Sequence, residues 1–145
     1  MIVLDAYAVL AFLRGEHAAP QVRELIGGDE EAALTLLGIA EVVDRLVRRA
    51  GVPEQEAALD IAELGLAAPP VLDVELATSA GLLRARHYNR RMRAISLADC
   101  VAAETARRLG ASLATADPAL LDACEQEGIA AIALPDSGGT VWTGA

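Results

Sequence analysis

The residues of this chain best suited to chemistry are carboxylates. Asp5 sits between two apolar runs, Ile2-Val3-Leu4 and Ala8 to Leu13. A buried carboxylate without a partner is costly. Two partners fit: the amides of the helix that follows, with Asp5 as N-cap, and a bound cation; the roles can coexist. Asp99 shares a helical face with Ala102, Ala103 and Ala106, while Glu104, Thr105, Arg107 and Arg108 point away. A carboxylate on a stripe of small apolar residues is rare unless it is paired or holds a metal. The small neighbours leave room for an ion and its waters. The competing reading is a capping box, Ser96-x-x-Asp99. Glu41 falls opposite Ile39, Val43 and Val47, among Asp44, Arg45 and Arg48, which reads as a solvated helix face. Asp117 precedes Pro118, a strong helix start, and Thr115 stands two residues before it, placed to orient it or to bind a ligand.

Other chemistries are excluded by what the sequence lacks. All twelve basic residues are arginine, so there is no Walker A lysine, no Schiff-base lysine and no lysine to support an aspartyl phosphate. His17 and His87 are far in sequence from other soft ligands, which argues against zinc. No Ser-His pair, no GxSxG and no glycine-rich phosphate loop occurs. Cys100 and Cys124 form no CxxC and read as reduced, buried thiols of a cytoplasmic protein. A net charge of −9 argues against broad, nonspecific nucleic-acid binding but not against a small site that reaches phosphates through metal ions. Asp5 falls where a signal peptide would be apolar, and no uncharged apolar run approaches the roughly 18 residues of a membrane span.

The elements that must position these acids alternate in type. Ile2–Leu4 reads as a buried strand, followed by a helix from Ala6 to Leu13 and another opened by Pro20. A strand is expected over Ala32–Leu36 and a helix over Gly38–Ala50. A further helix is expected from Pro53 to Leu66, then a short strand at Val71-Leu72. Asp73 caps a helix to Arg86, and residues 87–94 read as an arginine-rich loop. Ser96 caps a helix to Leu109; Ser112–Thr115 is a strand, Asp117 opens a helix to Glu127, and Ile129–Leu134 is the last strand. This is an α/β pattern with a mainly parallel sheet. Sites in such sheets form beyond the carboxyl ends of strands, where strand order reverses. Asp5 and Asp117 follow two such strand ends.

The order and spacing of four segments together resemble the PIN-domain nucleases, in particular the VapC-type toxins of toxin–antitoxin pairs. The segments are the apolar strand ending in Asp5, Gly38-Ile-Ala-Glu41-Val-Val, Ser96-Leu-Ala-Asp99 with its alanine-rich helix, and Leu109-Gly-Ala-x-Leu-x-Thr115-x-Asp117. The resemblance runs from Ile2 to about Leu134. It implies a three-layer α/β/α sandwich with a short central sheet, a single nuclease domain over residues 1–135 and a loose glycine-rich tail over 136–145. It further implies a homodimer in which Asp5, Glu41, Asp99 and Asp117 are catalytic and bind Mg²⁺ or Mn²⁺, hard cations that prefer oxygen. Such an ion gives a phosphate a landing point and makes water a nucleophile, so no covalent nucleophile is needed. Products with a 5′-phosphate and a 3′-hydroxyl are the family expectation. One departure stands out: many relatives carry Ser or Thr after the first acid, where this chain has Ala6, followed by Tyr7.

Two partners follow from the same resemblance: an RNA substrate and a cognate antitoxin. Arg84, Arg90 and Arg91, with Tyr88, lie in the densest basic stretch and are candidates, with Thr115, for contacting RNA; a solvated loop or a dimer contact is the competing reading. Val9, Phe12 and Leu13 are either core or a groove for an antitoxin helix. The rival to a nuclease is a PIN-like protein that binds a partner and cuts weakly or not at all. A DNA-directed nuclease also fits the pattern, whereas receiver-like and dehalogenase-like phosphotransfer domains fail for want of lysine.

Overall fold

A computed structural model describes residues 1–144, so Ala145, the last residue of the expected tail, lies outside the described residues. Four short strands, β1 (Ile2–Leu4), β2 (Ala32–Leu34), β3 (Ser112–Thr115) and β4 (Ala131–Ala133), form one parallel sheet in the order β2-β1-β3-β4. The register pairs Leu4 with Leu34 on one side and with Ala114 on the other. Seven helices connect them: α1 (Ala6–Arg14), α2 (Ala19–Gly27), α3 (Leu36–Arg48), α4 (Glu54–Ala62), α5 (Val74–His87), α6 (Leu97–Leu109) and α7 (Pro118–Glu127).

The strands are continuous apolar runs because both faces of the sheet are covered. Side chains alternate between faces along a strand. Ile2, Leu4 and Ala114 enter the core formed with α1, α2, α3 and Ala57 of α4. Val3 and Leu113 enter the opposite core, with Ala80 and Leu83 of α5, the alanines of α6, and Leu120 and Cys124 of α7. The result is the expected α/β/α sandwich. Both cysteines are buried and free, and burial pushes each thiol up to about 12, so they are inert core residues.

Several element boundaries differ from the sequence reading. β2 ends at Leu34 because Thr35 is the N-cap of α3: its hydroxyl accepts the Gly38 N–H at 3.0 Å, starting α3 two residues earlier than expected. A Cβ on Gly38 would lie 2.8 Å from Leu34 Cδ1, so a larger residue there would force the buried Leu34 side chain to shift. α4 stops at Ala62, ahead of the left-handed Gly65, instead of continuing to Leu66. Val71-Leu72 is not a strand: it follows Pro69-Pro70, neither of which has an amide to donate, and Val71 is exposed. Residues 87–94 are no open loop. Asn89 and Arg93 pair across a tight turn, and Asn89 Oδ1 accepts the Arg91 and Met92 amides at 3.0 and 3.2 Å. Val9 is fully buried and offers no surface to a partner, whereas Phe12 and Leu13 are partly buried against the same core. Among the described residues no helix is long and apolar enough to cross a membrane.

Candidate active site

The chain leaves β1 for α1 and β2 on one side, then returns through α3 to α6 to lay β3 on the other side of β1. Strand order therefore reverses between β1 and β3. Asp5 and the Thr115–Asp117 turn stand at the carboxyl ends of those two strands.

Asp5 is an N-cap, with its carboxylate accepting the Ala8 N–H at 2.8 Å. Its own N–H donates to Ala114 O at 3.1 Å, which anchors it to β3. Only 6% of the residue is exposed. Burial is the main reason its carboxyl is pushed up to about 7; Asp99 and Asp117 raise it further, while hydrogen bonding from Thr115 and Ala8 works the other way. Asp117 caps α7 through Ala119 N at 2.9 Å. Burial first, and then Asp99, raise its carboxyl as well. Thr115 lies between the two acids: its hydroxyl accepts the Asp117 N–H at 3.1 Å and bonds to Asp5. Thr115 is fully buried, so it offers no surface to a substrate and serves instead to orient the acids.

Asp99 makes the capping box. Its Oδ2 accepts the Ser96 N–H at 2.9 Å, and its N–H donates to the Ser96 hydroxyl at 3.0 Å. Among the described residues no hydrogen bond falls on its other oxygen, and Asp99 borders the same cleft as Asp5 and Asp117. Glu41 reaches that cleft from α3, contrary to the solvated-face reading, because α3 packs beside α6 and turns this edge inward. The cleft has a volume of about 380 Å³ and brings Asp5, Glu41, Asp99 and Asp117 together.

Sequence reasoning missed a fifth acid. Asp136 and Ser137 border the cleft, although the tail from 136 onward reads as loose. Tyr7 explains their position: its hydroxyl donates to Pro135 O at 2.8 Å. Asp136 Oδ1 then accepts the Gly138 and Thr140 amides, each at 2.9 Å, closing a tight turn. The legible signal was Pro135-Asp136-Ser137-Gly138, a common turn pattern.

The basic stretch divides into committed and free residues. Arg84 Nε donates to Ile95 O at 2.9 Å, and its guanidinium lies 4.3 Å from the Tyr88 ring centre. Arg86 and His87 pair with Glu127, and Arg93 donates to Gln126 Oε1 at 3.2 Å. Arg90 and Arg91 stand exposed at the turn, whose end, Ala94, borders the acidic cleft. A larger hollow of about 870 Å³, beside the α1–α2 turn, contains His17, Arg23, Glu16 and Glu24 but none of the four acids.

A donor set of oxygens alone suits a hard divalent cation. So does a buried carboxyl held near 7 by burial and by two like charges, since a cation relieves both costs. Among the described residues no three of these side chains close into a preformed ligand group. Mg²⁺ keeps several of its waters, so a carboxylate-lined cleft with room for water fits it better than a tight cage.

No curated protein matches the chain significantly. Solved structures that share its fold include a toxin–antitoxin complex from Klebsiella pneumoniae (17% identity, TM-score 0.61, 81% of this chain and 87% of that chain), VapBC2 from Rickettsia felis bound to a promoter DNA fragment (15%, 0.63, 91% and 98%), and FitAcB from Neisseria gonorrhoeae (20%, 0.56, 91% and 96%). The PIN-domain family model matches residues 2–126, a span that holds Asp5, Glu41, Asp99 and Asp117. The chain belongs to the PIN-domain family.

Proposed function

We propose that this chain is a metal-dependent endoribonuclease of the VapC toxin type, hydrolysing RNA phosphodiesters with water and held inactive by a cognate antitoxin. The observation that carries this reading is the convergence of four carboxylates, from β1, α3, α6 and the β3–α7 turn, on one cleft where strand order reverses. The likeness to toxin–antitoxin complexes supports the antitoxin partner. A homodimer working in the cytoplasm is part of the same reading, as is a single nuclease domain over residues 1–135. The tail, 136–145, contributes its first residues to the cleft wall.

Asp5, Asp99, Asp117 and Glu41 would hold Mg²⁺ or Mn²⁺ through carboxylate oxygens. When bound, such an ion supplies a Lewis acid for the phosphate and lowers the pKa of water. The protein's own part is orientation. Thr115 fixes Asp5 and Asp117 relative to each other, and Ser96 fixes Asp99 at the first turn of α6. Water adds to phosphorus and the 3′-oxygen leaves, giving a 5′-phosphate and a 3′-hydroxyl. Arg90 and Arg91 guide the RNA backbone to the cleft, while Arg84 shapes the turn that carries them.

The test is incubation of total cellular RNA with purified, antitoxin-free protein, in Mn²⁺ or Mg²⁺ and in EDTA. Cutting in metal alone supports the reading, and mapping the ends finds the target. A second reading, a PIN fold that binds a partner and cuts weakly, is favoured by Ala6, which supplies no hydroxyl beside Asp5. Intact RNA in a folded sample that also fails to bind Mn²⁺ by calorimetry would select it.

A further inference from the structure

We propose that Arg45 is a substrate contact: a cation on the wall of the acidic cleft that takes an RNA phosphate on its guanidinium fork. This rests on the nuclease reading and adds a residue to it. Arg45 borders the cleft with Asp5, Glu41, Asp99, Asp117 and Asp136, and among the described residues it is the one cation there.

Its pairing is slack. Arg45 Nη2 stands 3.5 Å from Glu41 Oε1, and the side chain is 39% exposed. A charge-assisted hydrogen bond between such groups normally closes to about 2.7–2.9 Å. The next pair on α3 shows that this helix and spacing permit the shorter contact: Arg48, also four residues after its acid, grips Asp44 at 2.8 and 3.0 Å. Other arginines are similarly committed, Arg107 to Glu127 at 2.7 Å and Arg108 to Asp73 at 2.9 Å. Arg45 thus keeps most of its five N–H donors free inside a cleft that an anionic substrate must enter. A planar guanidinium offers two parallel donors to a phosphate, which a lysine cannot do. In a cleft bordered by five carboxylates, such a cation offsets the repulsion an incoming phosphate meets.

The experiment compares wild type with Arg45→Ala, Arg45→Lys and Arg49→Ala. The last removes the same charge from an exposed position of α3's C-cap that does not border the cleft. Binding of a labelled single-stranded RNA is followed by fluorescence anisotropy in EDTA across a salt series. Cleavage in Mn²⁺ and Mn²⁺ binding by calorimetry are measured beside it. Arg45→Ala is expected to lower the slope of log affinity against log salt by about 0.7, one phosphate contact's worth. It is expected to lower kcat/KM about a hundredfold while Mn²⁺ affinity stays within about twofold, as for a side chain that is no ligand. Arg45→Lys restores the slope but not the rate, and Arg49→Ala leaves both near wild type. The proposal is overturned if Arg45→Ala leaves the slope unchanged, if Arg49→Ala matches it, or if RNA and Mn²⁺ affinity fall together, which would make Arg45 a positioning residue for Glu41. Wild type that binds RNA without cutting it refutes the nuclease reading, and the slope comparison still judges Arg45. Wild type that neither binds RNA in EDTA nor cuts it in Mn²⁺ refutes both.

Discussion

The Tyr7 hydroxyl donates to the carbonyl oxygen of Pro135 at 2.8 Å, tying the first helix to the segment that carries Asp136 into the cleft. Removing it deletes one long-range hydrogen bond and leaves the ring in place. Tyr7→Phe should cost about 1 kcal/mol in urea denaturation. Amide exchange at residues 138–140 should quicken more than in α6, because the turn would lose its anchor. Unchanged protection there would show that the turn is held by its own bonds to Asp136.

Asp5 makes stability depend on pH. Its folded carboxyl is held up at about 7 against an ordinary 3.8, mainly by burial. A group raised in this way stabilises the fold below its unfolded value, and that contribution is lost as pH rises through its folded value. In EDTA the protein should therefore lose stability from this group between 3.8 and about 7. Asparagine is as good a cap and cannot ionise. Asp5→Asn should flatten that slope and raise Tm at about pH 8. A lower Tm there would contradict the burial argument. Mn²⁺ affinity of the wild type should fall by up to about tenfold per pH unit below the Asp5 value, as protons compete for that carboxylate.

Glu127 joins three elements. It accepts from Arg86 Nε at 3.0 Å and Arg107 Nη2 at 2.7 Å, and its Oε1 lies 2.6 Å from His87 Nε2. The Arg86 and His87 partners lead in holding its carboxyl down at about 2. Glu127→Gln should destabilise the protein by about 2 kcal/mol at neutral pH, measured from the urea midpoint. The wild-type advantage should shrink as pH falls from 4.5 toward 2. A loss below about 0.5 kcal/mol would mean that the three partners are satisfied by solvent.

Arg90 and Arg91 are exposed at a turn whose end borders the cleft. If they meet the RNA backbone, replacing both with alanine should lower the salt slope of RNA affinity by about 1.4, two single-strand contacts. A slope equal to wild type would make the turn a solvated feature or a contact between copies.

Local chemistry made part of the site legible. Asp5 and Asp117 cap helices and Asp99 sits in the first turn of one, so capping rules place them at element ends, and alternation of strand and helix places two of those ends together. The capping and ligand readings of Asp99 need not compete, because the capping box uses one oxygen and leaves the other. Glu41 was not legible: helical periodicity groups it with Arg45 and Arg48, and only the packing of α3 beside α6 turns it to the cleft. Asp136 was hidden because its position depends on a bond from Tyr7, far away in sequence. Arg84 has the composition of a nucleic-acid contact, but its guanidinium serves Ile95 and Tyr88. Val71-Leu72 has strand composition, but neither edge of the sheet receives it.

The proposed function requires that Asp99 and its neighbours form a metal-dependent nuclease centre. Asp99→Asn tests it most directly, because an amide oxygen can still accept the Ser96 N–H, so the cap and the fold survive. The measurement is cleavage of cellular RNA in Mn²⁺ by the variant and the wild type, with circular dichroism matched between them. Wild type is expected to cut in Mn²⁺ and not in EDTA, and the variant to lose about a hundredfold or more. Equal cutting by a folded Asp99→Asn protein, or cutting that persists in EDTA, would contradict it.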